Sequence, residues 1–138
     1  MAIEKKTILV IDDYSADLDL MAHFIKRGGH EVLIAKSAEN ALDLIAHLKT
    51  IDLVIADNVM PRMHGLDMIK KIRDEGSNVL IWLVSGQLTE HIKILAMEYG
   101  ASKVISKTDL VSVLLEEKIL PPPPVTTVQS SMDPPRAP

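Results

Sequence analysis

Three aspartates, a serine and a lysine carry the chemistry that this sequence can perform. Asp12 and Asp13 follow the apolar run Thr7-Ile8-Leu9-Val10-Ile11, and Asp57 follows Ile51-Asp52-Leu53-Val54-Ile55-Ala56. Ser85 follows a run from Val79 to Val84, and Lys107 closes a weaker one. Carboxylate oxygens are hard ligands, so three of them together suit Mg²⁺ or Mn²⁺, and Mg²⁺ commonly bridges to phosphate. Without a cation, three clustered like charges repel unless one of them takes up a proton. The Ser85 hydroxyl can donate to a phosphoryl oxygen, and Lys107 can neutralise such a group as a point charge. Singly, each residue has a plainer reading: Asp-Asp caps the following helix, Ser85 forms the turn before Gly86, and the lysine is solvated. Together, at corresponding ends of apolar runs, they favour a metal-assisted phosphoryl site.

The elements that must position these residues are legible from periodicity. Short β-branched apolar runs read as strands buried on both faces, the mark of a parallel sheet between helices. Such a sheet gathers its ligands at the carboxyl ends of its strands. After Asp13, Leu18, Met21, Ala22 and Ile25 recur at helical spacing, with Ser15 placed to cap and Gly28-Gly29 to stop. Ser37 precedes Ala38, Ala41, Leu42 and Ile45, while Gly65 precedes Leu66, Ile69 and Ile72. A fourth helix is expected from Thr89 to Tyr99, stopped by Gly100, and a fifth on Leu110, Val113 and Leu114, ending before Pro121. Strands at Glu31–Ala35 and Lys103–Ser106 complete five strand–helix units. The expected fold is therefore α/β, a three-layer doubly wound sandwich with a five-stranded parallel sheet in the flavodoxin-like order 2-1-3-4-5. The switch point then falls between the strands that end in Asp12-Asp13 and Asp57.

The 138 residues suffice for one domain with a sizeable core, and 47% apolar with 25% charged residues is ordinary for a globular chain. A net charge of −4 with scattered Lys and Arg offers no basic face for direct contact with nucleic acid. The absence of cysteine excludes disulfides and thiolate metal sites. No apolar stretch approaches the ~20 residues of a membrane helix, and Met1-Ala2-Ile3-Glu4-Lys5-Lys6 lacks a signal-peptide core, so a cytoplasmic location is expected. Residues 1–120 are expected to form the domain. From Pro121 to Pro138, seven of eighteen residues are proline, which suits an extended or disordered tail or a truncated linker.

The segments Ile11-Asp12-Asp13, Val54-Ile55-Ala56-Asp57, Met60-Pro61-Arg62-Met63-His64-Gly65, Ala96-Met97-Glu98-Tyr99-Gly100-Ala101 and Ser106-Lys107 resemble the receiver domain of two-component response regulators, of the chemotaxis-regulator type. The resemblance covers about residues 6 to 120. It implies that Asp57 is the phosphoacceptor, taking a phosphoryl group from a sensor histidine kinase or phosphotransfer protein. It also implies that Asp13 binds Mg²⁺ directly, Asp12 largely through water, and the Val59 carbonyl as a further ligand. Ser85 and Lys107 would then hold the phosphoryl oxygens. The face formed by helix four, strand five and helix five would shift between two states and offer a surface for homodimerisation.

Four positions depart from the family pattern. Val104 stands where strand five usually carries an aromatic switch residue, so coupling to the hydroxyl should be weakened or rewired. Thr108 replaces the proline that usually follows the lysine, so a trans peptide or altered loop is expected, with Thr108 available to cap the last helix. His64 stands where aspartate is more usual and reads as a solvated loop residue. Val59, together with Gln87, sits where the family controls water access to the acyl phosphate. Two other function classes compete with a phosphorylatable switch. One is a constitutive interaction module on the same fold, favoured by Val104 and Thr108 and opposed by the intact acidic set. The other is a Mg²⁺-dependent phosphohydrolase of the haloacid dehalogenase type, whose Asp-x-Asp nucleophile motif Asp12-Asp13-Tyr14 does not match.

Overall fold

Five parallel strands lie in the order β2-β1-β3-β4-β5 in the computed structural model, which describes residues 3–122. They are β1 (Thr7–Ile11), β2 (Glu31–Ala35), β3 (Leu53–Asp57), β4 (Leu80–Ser85) and β5 (Lys103–Ser106). The helices are α1 (Ser15–Arg27), α2 (Ala38–His47), α3 (Gly65–Asp74), α4 (Glu90–Tyr99) and α5 (Leu110–Glu116), with a 3₁₀ turn at Lys107–Asp109. The expected strand order and alternation are those observed.

Strand alternation divides the core in two. Leu9, Ile11, Val54, Ala56, Ile81 and Leu83 face one way, toward Ala38 and Ala41 of α2, Ile69 and Ile72 of α3 and Ala96 of α4. Ile8, Val10, Ile55, Trp82, Val84 and Ile105 face the other, toward Leu18 and Ile25 of α1 and Leu110 and Leu114 of α5. Both faces of the sheet are thus covered, which is why its strands read as continuous apolar runs.

The helix boundaries follow local chemistry in part. Ser37 accepts the Asn40 N–H and Thr89 the Ile92 N–H, so both act as N-caps. Gly100 ends α4 in the left-handed region at φ 114°. Ser15 does not cap α1: it is the first helical residue, Tyr14 holds the cap position without a side-chain bond, and the Asp12 carboxylate accepts the Tyr14 N–H at 3.0 Å. Nor does Thr108 cap α5, because its hydroxyl pairs with Ser106 Oγ at 3.0 Å and Asp109 holds the cap position. Among the described residues there is no cis peptide bond.

Two strands begin later than the apolar runs suggest. Asp52 turns its carboxylate to the Thr7 N–H at 2.8 Å, and β3 starts at Leu53. The Val79 N–H donates to Ser77 Oγ, and β4 starts at Leu80. Asp57 and Ser85, expected just beyond their strands, are the last residues within them. The proline-rich segment beyond Pro122 lies outside the described residues.

Candidate functional site

The register of the sheet sets the site. β1 and β3 pair with Ile11 opposite Ala56, so Asp12 and Asp57 leave the two strands at the same level. Asp57 lies opposite Val84 of β4, one residue before Ser85. Asp12, Asp13 and Asp57 each present an oxygen within 4.8 Å of the others. Asp12 is 3% exposed and the Asp57 side chain 10%, whereas Asp13 is open to solvent. An all-oxygen set with this spacing fits a hard divalent cation, with room left for waters.

Burial governs the charge states. Desolvation, with the Asp12 charge second, pushes the Asp57 carboxyl up to about 6 against the partial relief of Lys107. Asp12 is likewise raised, first by burial, while its bond from the Tyr14 N–H opposes the shift. Burial alone would lower Lys107, yet the neighbouring charges of Asp57, Asp12 and Asp17 outweigh it and raise the group. Lys107 Nζ lies 3.6 Å from Asp57 Oδ1 and 3.4 Å from Asp17 Oδ2.

Ser85 is buried at 2% exposure, and its Oγ accepts the Gln87 N–H at 3.2 Å, so the turn role is realised and the hydroxyl hydrogen points elsewhere. Val59, two residues after Asp57, is 63% exposed. His64 is exposed and holds the N-cap position of α3, and Val104 is half-buried against the core.

Two residues that sequence reading did not single out complete the surroundings. Asn58 is 7% exposed; its side-chain oxygen accepts the Leu66 N–H at 3.2 Å, and its carbonyl accepts the Gly65 N–H at 2.8 Å. It thereby fixes the loop after Asp57 to the start of α3. Asp17, in the first turn of α1, reaches Lys107 across ninety positions of sequence.

The model of the response regulator receiver domain family matches residues 8–117. The chain belongs to that family. This receiver is 30% identical to a response regulator receiver domain protein from Clostridium thermocellum, with a TM-score of 0.73 over 83% of this chain and 94% of that one. A CheY-like receiver domain protein from Methanospirillum hungatei is 27% identical, with a TM-score of 0.74 over 84% and 94% of the two chains. Among curated relatives, the alkaline phosphatase synthesis transcriptional regulatory protein PhoP of Bacillus subtilis is 29% identical over 74% of this chain and 42% of its own length. The glycerol metabolism activator of Pseudomonas putida is 29% identical over 90% of this chain and 60% of its own length. The chain thus spans between about two fifths and three fifths of these curated relatives. It is a receiver domain of two-component response regulators. No helix among the described residues is long and apolar enough to cross a membrane.

Proposed function

We propose that Asp57 is the phosphoacceptor of this receiver, taking a phosphoryl group from a phosphohistidine of a sensor kinase or phosphotransfer protein. The observation that carries this is a carboxylate 10% exposed at the switch point, with two further carboxylates within 4.8 Å and an ammonium at 3.6 Å. In the transfer an Asp57 oxygen attacks phosphorus and the P–N bond to the donor imidazole breaks, an in-line displacement promoted by positioning and charge neutralisation. Asp13 and Asp57 would hold Mg²⁺ directly, Asp12 largely through water, and the Val59 carbonyl would add a ligand. The cation supplies charge neutralisation to the acidic set and to the incoming phosphoryl oxygens. Lys107 takes up one of those oxygens as a point charge, and the Ser85 hydroxyl donates to another. The receiver catalyses its own phosphorylation and dephosphorylation and no reaction of a separate substrate.

The reading extends to organisation: residues 1–120 form the receiver, and 121–138 a tail or linker. The phosphorylated form acts from the cytoplasm on a protein partner through the α4–β5–α5 face, which also serves for homodimerisation. Val104 supports a variation on this theme, since the half-buried valine has no ring to swing inward and a constitutive interaction module needs none.

Intact mass after incubation with Mg²⁺ and acetyl phosphate tests the proposal. Wild type should gain one phosphate in a Mg²⁺-dependent manner, and Asp57→Asn should gain none. An adduct on Asp57→Asn equal to that on wild type places the acceptor elsewhere. No adduct and no beryllofluoride binding by wild type transfers support to the constitutive module.

A further inference from the structure

The Lys107 ammonium bridges the acidic trio and a fourth carboxylate outside it. Nζ donates to Asp17 Oδ2 at 3.4 Å, while Asp57 Oδ1 stands slightly farther at 3.6 Å. Asp17 comes from the first turn of α1 and Lys107 from the turn after β5, so the pair ties two elements across the rim. Both also line, with Asp12 and Asp57, an apolar cavity of about 230 Å³ walled by Leu20, Met21, Phe24 and Leu114. One ammonium is therefore shared between a nearly buried carboxylate and one that is 45% exposed.

We propose that Asp17 is a positioning residue that shares Lys107 with Asp57 in the resting state, so that full engagement of Lys107 by a phosphoryl group has to break the Asp17–Lys107 pair. This rests on Asp57 being the phosphoacceptor. A phosphoryl group adds roughly two negative charges at neutral pH and three acceptor oxygens, so Lys107 exchanges its exposed Asp17 partner for a stronger one. The exchange costs the Asp17 pair. It also releases the first turn of α1 from the turn after β5, beside the cavity. An acidic residue in a first helical turn has a simpler use, complementing the helix dipole. The two roles part on one point: a dipole role changes the stability of α1, whereas an anchor changes anion capture.

The size of the effect follows from exposure. Asp17 and Lys107 are 45% and 42% exposed, and such pairs contribute about 0–1 kcal/mol, so capture shifts by a small factor and the effect weakens with salt. The test is calorimetric titration with beryllofluoride at saturating Mg²⁺, on wild type, Asp17→Asn, Asp17→Glu and Asp57→Asn, each at low and high salt. Asp17→Asn should bind about two- to fivefold tighter than wild type at low salt, with the gain shrinking at high salt. Asp17→Glu, which keeps the charge, should stay near wild type. Equal or weaker binding by Asp17→Asn, beside normal binding by wild type, overturns the anchor. So does a gain that is unchanged by salt or reproduced in full by Asp17→Glu. Beryllofluoride binding by Asp57→Asn as tight as by wild type instead overturns the phosphoacceptor assignment, and the anchor with it.

Discussion

His30 joins the end of α1 to the end of α5 by donating from Nε2 to the Ile119 carbonyl at 2.7 Å. Its other nitrogen, Nδ1, accepts the Lys6 N–H at 3.0 Å, which assigns the proton to Nε2 in the neutral ring. The ring is 5% exposed, and a Cβ on the adjacent Gly28 would meet the same Ile119 oxygen at 2.7 Å. This corner closes the helical layer on the α1–α5 side of the sheet, at the amino ends of β1 and β2 and so at the opposite end of the strands from the acidic site. Replacing His30 by alanine leaves a buried donor and a buried acceptor unpaired. The expected cost is about 2–3 kcal/mol, read by urea denaturation, with capture of beryllofluoride unaltered. Gly28→Ala should destabilise through the backbone clash alone.

The Asp57 carboxyl, held near 6 against 3.8 in an unfolded chain, makes the metal-free protein pH-sensitive in a definite direction. Between those values the folded state binds more protons than the unfolded one. Stability therefore falls as pH rises through that window, and at pH 7 the ionised, buried Asp57 is a net cost. Asp57→Asn removes that cost. In the presence of a chelator it should exceed wild type at pH 7 by up to about 3 kcal/mol, and the difference should vanish toward pH 4. A wild-type denaturation midpoint that is flat from pH 4 to 7 contradicts the assigned shift.

Gly65 opens α3 where the backbone of β3 passes close by. A Cβ there would stand 2.7 Å from Leu83 Cδ1, 2.8 Å from the Asp57 carbonyl oxygen and 3.0 Å from Asn58 Cα. Leu83 is fully buried and the other two atoms are backbone, so the strand end carrying Asp57 must move. Gly65→Ala should cost about 1–3 kcal/mol and slow Mg²⁺-dependent acetyl phosphate labelling at least about tenfold. Gly86→Ala is the matched control for stability, because its nearest neighbour is Lys107 Cδ at 3.8 Å; it should stay within about 0.5 kcal/mol.

The fold and the acidic trio were legible because they depend on short-range pattern and on one topological rule. Ile8 to Ile11 and Leu53 to Ala56 are buried on both faces, so apolar runs marked their strands, and the switch point then brought Asp12 and Asp57 together. Caps were less legible: α1 starts at Ser15 itself, leaving Tyr14 at the cap position with its N–H bonded to Asp12, and Ser106 drew Thr108 away from α5. Asp17 was invisible for another reason. Its significance lies in the placement of α1 against the turn after β5, a relation between residues ninety apart that no local pattern records. Asn58 gave a fainter signal, as an amide directly after the strand in a loop that needed one buried acceptor.

A divalent cation should convert the electrostatic cost of the site into stability. Asp12, Asp13 and Asp57 repel one another in its absence, and a ligand that binds the folded state alone stabilises by an amount set by its concentration over its Kd. At one hundred times Kd the gain is about 2.7 kcal/mol, which for a chain of this size raises Tm by roughly 5–10 °C. Asp13→Asn removes an exposed ligand without opening a cavity, so it should leave the chelated Tm equal to or above wild type and abolish most of the Mg²⁺-induced rise. Asp17 lies outside the trio, and Asp17→Asn should keep that rise. Comparable Mg²⁺ shifts for wild type and Asp13→Asn would mean that the cation is held elsewhere. Loss of the shift in Asp17→Asn would instead make Asp17 part of the cation site rather than a partner of Lys107.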